Sequence, residues 1–354
     1  MTDATAPASG ETLTFGQTLK SSEFVGLGIK NGLLNMVTFG IYSFWAKTAT
    51  RRSIWEKVSL NGEAFSYTGK GLELFLGFLL GMAVLLVPYV AVVILTMVNH
   101  FFLFLMFPLY FGFIVVLGAA VFMAFRYIAS RTRWRDTRFQ LTGSPARFGW
   151  SYLGYFLLML VTFGWFSPAM TMRLSGKLWG GLAYGDKKLG WRRGDKEGLY
   201  GPFTLAWLVG IGGYAGLIAI MVSSMGAQAG GAADLALVGR MYAYMLVYLL
   251  LVVLASSAYY AAVMRAVVGA IRVDEARFSI KVKAVELIVL SLTNALILVF
   301  SLGFLLPVAE ARSARFVLSR LSSTGTVDLS GVRQAPLGSG SDEGLADAFG
   351  ISTF

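Results

Sequence analysis

The sequence contains no cysteine and only one histidine, His100, among its 354 residues. Without cysteine the chain cannot form disulfides, thiolate metal sites or a cysteine nucleophile. With one histidine it also lacks the clusters of ligating side chains that usually bind zinc. We therefore predict no metal ion and no cofactor.

Charged side chains are scarce as well, at 14% of residues, whereas soluble domains carry about 25%. Hydrophobic residues reach 56% and mean hydropathy is +0.67. Four uncharged runs, at 74–98, 101–125, 202–224 and 241–264, each exceed the roughly 20 residues that cross the hydrocarbon core. The sequence therefore predicts a multi-pass membrane protein.

The charge that remains is mostly positive, with a formal net charge of +11. The lysines and arginines lie between the hydrophobic runs, which is typical of cytoplasmic loops rather than of a nucleic-acid surface. The expected partner is the lipid bilayer, with anionic lipids at the cytoplasmic face, and no nucleic acid. Residues 1–17 lack the basic and apolar regions of a cleavable signal peptide.

Two constant shifts in numbering relate one part of the sequence to another. The first shift carries Phe15 to Phe139 and Trp55 to Trp179, and the second, slightly longer shift carries Phe139 to Phe278. We predict two and a half internal repeats. They comprise a first unit at 15–138, a second at 139–277 and a truncated third at 278–321, between a disordered N-terminus at 1–14 and a flexible tail at 322–354.

Each unit contains a break in a hydrophobic segment, written VTFG at 37–40, VTFG at 161–164 and FSLG at 300–303. Glycine relaxes the backbone there, and Pro168 and Pro307 soon follow the second and third breaks. A basic amphipathic helix is predicted behind each break. In the first unit Asn61-Gly62 then predicts a two-residue β-hairpin turn.

The charge of the loops decides between two topologies. If all seven hydrophobic segments crossed, the basic loops at 126–147 and 173–196 would lie on opposite faces, against the rule that basic loops are cytoplasmic. If the three segments that end at the breaks return to their side of entry, every basic loop is cytoplasmic. We predict an all-α polytopic membrane protein with four full spans, three re-entrant segments and both termini inside. Seven transmembrane helices are the alternative.

Residues 31–80 resemble the core signature of the YjgN family of bacterial inner-membrane proteins. The matching positions are Asn35, 38–47, Arg51, Arg52, Gly62, Phe65, Tyr67 and Gly69. The departures are Phe39 in place of leucine, and Ser53-Ile54-Trp55 where the family has an aromatic residue after the arginines. The resemblance implies a bacterial inner-membrane location, and it brings no known activity and no catalytic residues.

One functional hypothesis is a transporter- or channel-like protein with a site where the breaks converge. Broken helices with polar side chains bind solutes in many transporters. The candidate residues are Lys30, Asn31, Asn35, Thr38, Gly40, Thr162, Gly164, Asn294, Ser301 and Gly303.

The other hypothesis is a non-transporting scaffold that binds anionic lipid or a partner through basic and aromatic residues. Its candidates are Trp45, Lys47, Arg51, Arg52, Trp55, Arg126, Arg138, Arg173, Arg265 and Arg277. No pair of nucleophile and base is apparent, so no enzyme is predicted.

Overall fold

The structure is a computed structural model that describes residues 10–192, 198–227, 235–329 and 331–333. It is mostly helical. Its helices are α1 (Glu23–Val37), α2 (Ser43–Trp55), α3 (Gly71–Val98), α4 (Met106–Arg131), α5 (Pro145–Val161), α6 (Ser167–Trp179), α7 (Tyr200–Ala227), α8 (Leu235–Ala270), α9 (Ala284–Phe300) and α10 (Leu306–Leu318).

Short strands connect these helices. They are β1 (Phe15–Gln17), β2 (Val58–Leu60), β3 (Glu63–Ala64), β4 (Ser66–Tyr67), β5 (Thr132–Trp134), β6 (Thr137–Leu141), β7 (Leu182–Tyr184), β8 (Lys187–Lys188), β9 (Gly190–Trp191), β10 (Ile271–Val273), β11 (Ala276–Ile280) and β12 (Leu321–Thr324).

Four helices within the described residues are long and apolar enough to cross a membrane. They cover Gly71–Val98, His100–Arg131, Tyr200–Ser223 and Leu237–Ala270. Helix α3 packs against α4, and α7 packs against α8, so the four form two hairpins. A helix satisfies its own backbone polar groups, which is why such apolar runs become helical in lipid. The prediction of a polytopic, mainly helical membrane protein is confirmed, and these four helices are its candidate spans.

The strands form three antiparallel sheets in the part of the chain that the structure describes. Their strand orders are β1-β2-β3, β4-β5-β6-β7-β8 and β9-β10-β11-β12. The sequence predicted small hairpins only, and the predicted Asn-Gly turn is confirmed. Leu60 pairs with Glu63 across a two-residue turn in which Asn61 has φ 51° and Gly62 has φ 81°.

The three sheets enclose one apolar core. Its fully buried members are Leu13, Leu60, Trp134, Tyr184, Ala276 and Val327. Phe15, Phe139 and Phe278, which the two sequence shifts relate, pack against this core from one sheet each. The sheet core therefore lies where three equivalent chain segments meet.

The two chain ends, as far as they are described, join the sheet core. Val327 is buried and forms an antiparallel bridge with Glu11. Residues 322–324 complete β12. Residues 322–329 of the predicted flexible tail, and residues 10–14 of the predicted disordered N-terminus, are therefore part of the fold. Residues 1–9 and 334–354 lie outside the described residues.

Each break joins two helices into a helical hairpin, and each helical hairpin is flanked by paired strands. Helices α1 and α2 stand between β1 and β2, α5 and α6 between β6 and β7, and α9 and α10 between β11 and β12. Within each of the three pairs, the two strands are hydrogen-bonded to each other. The entry and the exit of every helical hairpin therefore lie side by side.

The spans pack directly against the helical hairpin that follows them in sequence. Helix α5 lies along α4, and α9 lies along α8. At the first contact, Gly149 of α5 faces the carbonyl of Val115, and Gly118 of α4 faces Tyr152. Helix α1 packs against α10, and its Gly28 and Gly32 face Phe304, just before α10 begins.

Candidate functional site

The three breaks have the same local geometry. The residue before each glycine is in the left-handed region, with φ 51° at Phe39, 49° at Phe163 and 50° at Leu302. The glycines themselves have φ 86°, 85° and 83°. A second left-handed residue in succession favours glycine, because a Cβ there is strained. Glycine is therefore needed to end the first helix and turn the chain at once.

A hydroxyl at each break serves both helices of the helical hairpin. Thr38 Oγ1 donates to Leu34 O at 2.7 Å and accepts from Tyr42 N at 3.0 Å. Thr162 Oγ1 donates to Leu158 O at 2.7 Å and accepts from Phe166 N at 3.1 Å. Ser301 Oγ accepts from Leu305 N at 3.1 Å. Each hydroxyl thus accepts from a backbone N–H at the start of the second helix, where the first N–H groups have no partner within the helix.

Replacing Thr162 with valine removes the acceptor that caps Phe166 N while keeping nearly the same volume. We expect a loss of about 1 kcal/mol, as for other helix caps. The measurement is the apparent melting temperature in detergent, with Thr162→Ser as the matched control. Equal melting of the valine and serine variants would contradict this role of the hydroxyl.

The tips of the helical hairpins are apolar and exposed. Phe39 is 97% exposed, Phe163 81% and Leu302 87%. Val37, Val161 and Phe300 beside them are exposed too. Large apolar residues that cluster at the end of a protruding element mark contact with a partner or a membrane.

The asparagines occupy a different place from the tips. Asn31 is 3% exposed, and neither atom of its amide has a hydrogen-bond partner within the described residues. The buried Oδ1 atoms of Asn35 and Asn294 also lack one there, although Asn294 Nδ2 donates to Ser313 Oγ at 3.2 Å. Lys30, the neighbour of Asn31, is exposed. Leaving a buried amide unpaired costs free energy, so Asn31 is the most unusual polar group of the predicted set.

The candidate residues for a solute site are thus distributed over three tips and two helix interiors. Among the described residues, no hydrogen bond or ring contact joins one break to another. The third break does reach α1, where Phe304 packs on Gly32. The glycines and hydroxyls of the breaks have local structural roles, whereas Asn31 and Asn35 have none that the contacts explain.

Several of the predicted basic residues donate hydrogen bonds to backbone carbonyls. Arg126 Nη2 donates to Gly143 O at 2.5 Å, and Arg265 Nη1 donates to Val282 O at 2.7 Å. The second shift relates both donors and both acceptors. Each bond ties the end of a span to the entry of the next helical hairpin.

Aromatic and basic residues of α2 contact the first span, α3, and the residues that lead into it. Trp45 packs on Gly71 and its ring lies 5.9 Å from that of Phe75. Arg52 Nη2 donates to Gly69 O at 3.3 Å, and Arg51 Nη1 to the Tyr67 hydroxyl at 3.5 Å. Trp55 Nε1 donates to Thr132 Oγ1 at 3.0 Å.

The remaining members of this set lie further from the spans. Arg173 lies over the rings of Tyr155 and Phe166, 5.6 and 5.2 Å from their centroids. Arg138 and Arg277 lie on the equivalent strands β6 and β11 of the sheets. Lys47 is exposed on α2. Basic side chains are therefore present both along the helical hairpins and on the strands of the sheets.

One ion pair at the sheet end of the first span was not anticipated from the sequence. Glu73 Oε1 accepts from Arg131 Nη2 at 2.9 Å, and its other oxygen accepts from the Tyr127 hydroxyl at 2.7 Å. The Glu73 side chain is only 7% exposed. This cluster connects α3 to α4.

A second acidic group, Glu310, lies on α10 near the basic residues Arg51 and Lys47 of α2. Burial raises the pKa of the Glu310 carboxyl, and the nearby charges of Arg51 and Lys47 oppose that shift. A carboxyl whose pKa is raised by folding contributes stability below its unfolded pKa and loses it as the pH rises through the folded pKa.

We expect a Glu310→Gln variant to melt higher than the wild type at pH 8, where ionisation of the buried carboxyl opposes folding. The difference should shrink as the pH falls toward the ordinary value of 4.5. Melting curves of both proteins in the same detergent, taken between pH 5 and pH 8, test this. A difference that stays constant across that range would contradict it.

No group of three or more histidine, cysteine, aspartate or glutamate side chains able to hold a metal occurs in the described ranges.

Comparison with known proteins assigns the chain to a family. Residues 12–349 match the model of a family described as bacterial protein of unknown function (DUF898). The chain belongs to this family. It is also similar to a protein named inner membrane protein YjgN from Salmonella typhimurium (strain LT2), with 29% identity over 150 residues. That match covers 42% of this chain and 36% of the relative, so about a third of the relative's length is spanned. No solved structure matches this DUF898 chain.

Proposed function

We propose that this DUF898 protein is a non-transporting, multi-pass scaffold of the bacterial inner membrane. In this proposal its three helical hairpins insert their tips into the cytoplasmic leaflet and bind anionic lipid headgroups. The inner-membrane location is supported by the name of the Salmonella relative and by four apolar helices. The observation that carries the proposal is the exposed apolar residue at each tip.

Basic side chains near the tips support the lipid part of the proposal. Lys47 and Arg173 are exposed and lie within two helical turns of the first and second tips. Arg312 has the position equivalent to Arg173 on the third helical hairpin. Interfacial segments commonly bury an apolar face about 5–10 Å into the membrane with cations at the headgroups.

The pairing of strands supports the turning of the chain at each break. Strands β1 and β2 flank the first break and are hydrogen-bonded to each other. An open sheet with unpaired edges is excluded from the hydrocarbon core, so paired strands on both sides of a helical hairpin favour a hairpin that enters and returns. On this model the sheet core and both termini are cytoplasmic, in agreement with the basic loops.

The experiment compares the wild type with a Lys47→Glu/Arg173→Glu variant in nanodiscs of equal phosphatidylglycerol and phosphatidylcholine. Each cation near an anionic surface contributes about 1 kcal/mol, so retained phosphatidylglycerol should fall by roughly fivefold or more in native mass spectra. The matched control is Lys188→Glu/Lys281→Glu, which reverses two exposed charges away from the tips, on β8 and just after β11. Equal retention by both variants would overturn the proposal.

The buried amide of Asn31 favours a second candidate, a solute pathway between α1 and α10. Transporters place unpaired polar groups where a solute or ion replaces the missing partner. Asn31→Leu would then abolish proton or potassium flux in proteoliposomes at unchanged protein level. If wild-type vesicles are no leakier than empty ones to either ion, this candidate fails for those ions and the scaffold is retained.

A further inference from the structure

An apolar cavity of about 630 Å³ lies where the ends of the helical hairpins meet the sheet core. Its walls include Trp55 at the end of α2, Trp179 at the end of α6 and Leu318 at the end of α10. The first shift carries Trp55 to Trp179, and the second carries Trp179 to Leu318. Residues that the two shifts relate therefore line the cavity from all three helical hairpins.

The chemistry of the walls is uniform. Among the described residues no charged side chain lines the cavity, and its few polar atoms include a pair that bond to each other, Trp55 Nε1 and Thr132 Oγ1. Phe65 and Phe139 close the side toward the sheet core. A cavity of this size is in the range of sites that bind small molecules, and its lining selects an apolar ligand.

The position of the cavity identifies which apolar ligand has access. One wall is formed by Phe125, Ile128 and Ala129, in the last two turns of the span α4. The opposite wall is the face of α10 that carries Ala314 and Val317. Because α4 crosses the membrane, this wall is continuous with a surface that contacts acyl chains.

We propose that the cavity binds one acyl chain of a membrane phospholipid, inserted between α4 and α10. The chain would leave the bilayer at the end of α4 and fill the space between the helical hairpins and the sheet core. This site is separate from the charged residues near the hairpin tips, and binding in the cavity does not depend on headgroup recognition there.

The test uses the full chain reconstituted with a phosphatidylethanolamine that carries a photoreactive diazirine in one acyl chain. After illumination, adducts are located by mass spectrometry of peptides. We expect adducts on the cavity face of α10, at Ala314 or Val317, because α10 is not one of the four candidate spans. Adducts on the outer surface of α4 supply the internal reference for bulk lipid.

The decisive variant is Ala129→Trp, which fills the cavity from a position that is 7% exposed. The matched control is Ala124→Trp, five residues earlier on the same helix and exposed. The adduct on α10 should fall at least fivefold in Ala129→Trp and remain at the wild-type level in Ala124→Trp. Ala314→Phe fills the opposite wall and provides the same comparison, read at Val317, if Ala129→Trp does not fold.

Two results would overturn the proposal. The first is the absence of any adduct on the lining residues of α10 when α4 is labelled. The second is an α10 adduct of equal yield in the filled and control variants, since it would come from bulk lipid.

Discussion

Glu73→Ala is expected to destabilise the protein more than any other single change considered for the first pair of spans. The carboxylate is 7% exposed and accepts bonds from both Arg131 and Tyr127 of α4. Removal of one partner from a buried ion pair costs roughly 3–5 kcal/mol, because the other charge loses its compensation. The measurement is the apparent melting temperature in detergent.

A second ion pair provides the control for this prediction. Glu63 and Arg135 are in contact at 3.0 Å, but their side chains are 51% and 34% exposed. Solvent screens such pairs, so Glu63→Ala should change stability by about 1 kcal/mol or less. A similar fall in melting temperature for both variants would show that burial of Glu73 does not determine its contribution.

Gly149→Leu is expected to separate the second helical hairpin from the first pair of spans. A Cβ at this position would collide with the carbonyl oxygen of Val115, which belongs to the backbone of α4 and cannot rotate away. Overpacking commonly costs about 1–3 kcal/mol, and a backbone obstacle places this case at the upper end. We expect a lower melting temperature and easier proteolysis between α4 and α5.

Gly154→Leu is the matched control on the same helix. No heavy atom lies within 4 Å of the Cβ that this substitution adds. Since leucine is a better helix former than glycine, the control should be neutral or slightly stabilising. A loss of stability in Gly154→Leu equal to that in Gly149→Leu would contradict the close contact of α4 with α5.

The sequence predicted the features that depend on long hydrophobic runs or on local turn chemistry. The four spans follow from uncharged runs that are long enough to cross the hydrocarbon core, and the Asn61-Gly62 turn follows from its own chemistry. The equivalent elements have the spacing of the sequence matches. For example, α2, α6 and α10 each contain 13 residues, and the two shifts carry Ser43 to Ser167 and Ser167 to Leu306, where these helices begin.

The sheet core could not be predicted because its strands are too short to show a pattern. Most contain two or three residues, whereas an alternating signal needs at least four. Their pairing is also non-local, as in the contact of β4 with β5 across the whole first pair of spans. The sequence did contain a signal for the hydrogen bonds of Arg126 and Arg265. The second shift carries Arg126 to Arg265, and it carries the acceptor position Gly143 to Val282.

The sequence indicated which residues of the candidate sites are polar, but not which groups they contact. Polarity marked Asn31 as a candidate, but it could not distinguish a hydroxyl that binds a solute from one that caps a helix, as at Thr38. Polarity also could not show that Arg51 and Arg52 donate hydrogen bonds to Tyr67 and Gly69, just before the first span. Those distinctions depend on partners that are distant in sequence.

The turning of the chain at the second break is tested most directly by single cysteines at Arg138 and Lys188 in this cysteine-free protein. These residues lie on β6 and β8 of one sheet, before and after the break. A membrane-impermeant maleimide applied to inside-out vesicles should label both positions, and neither should react in intact spheroplasts. Labelling of the two positions from opposite sides would contradict re-entrant helical hairpins and favour seven transmembrane helices.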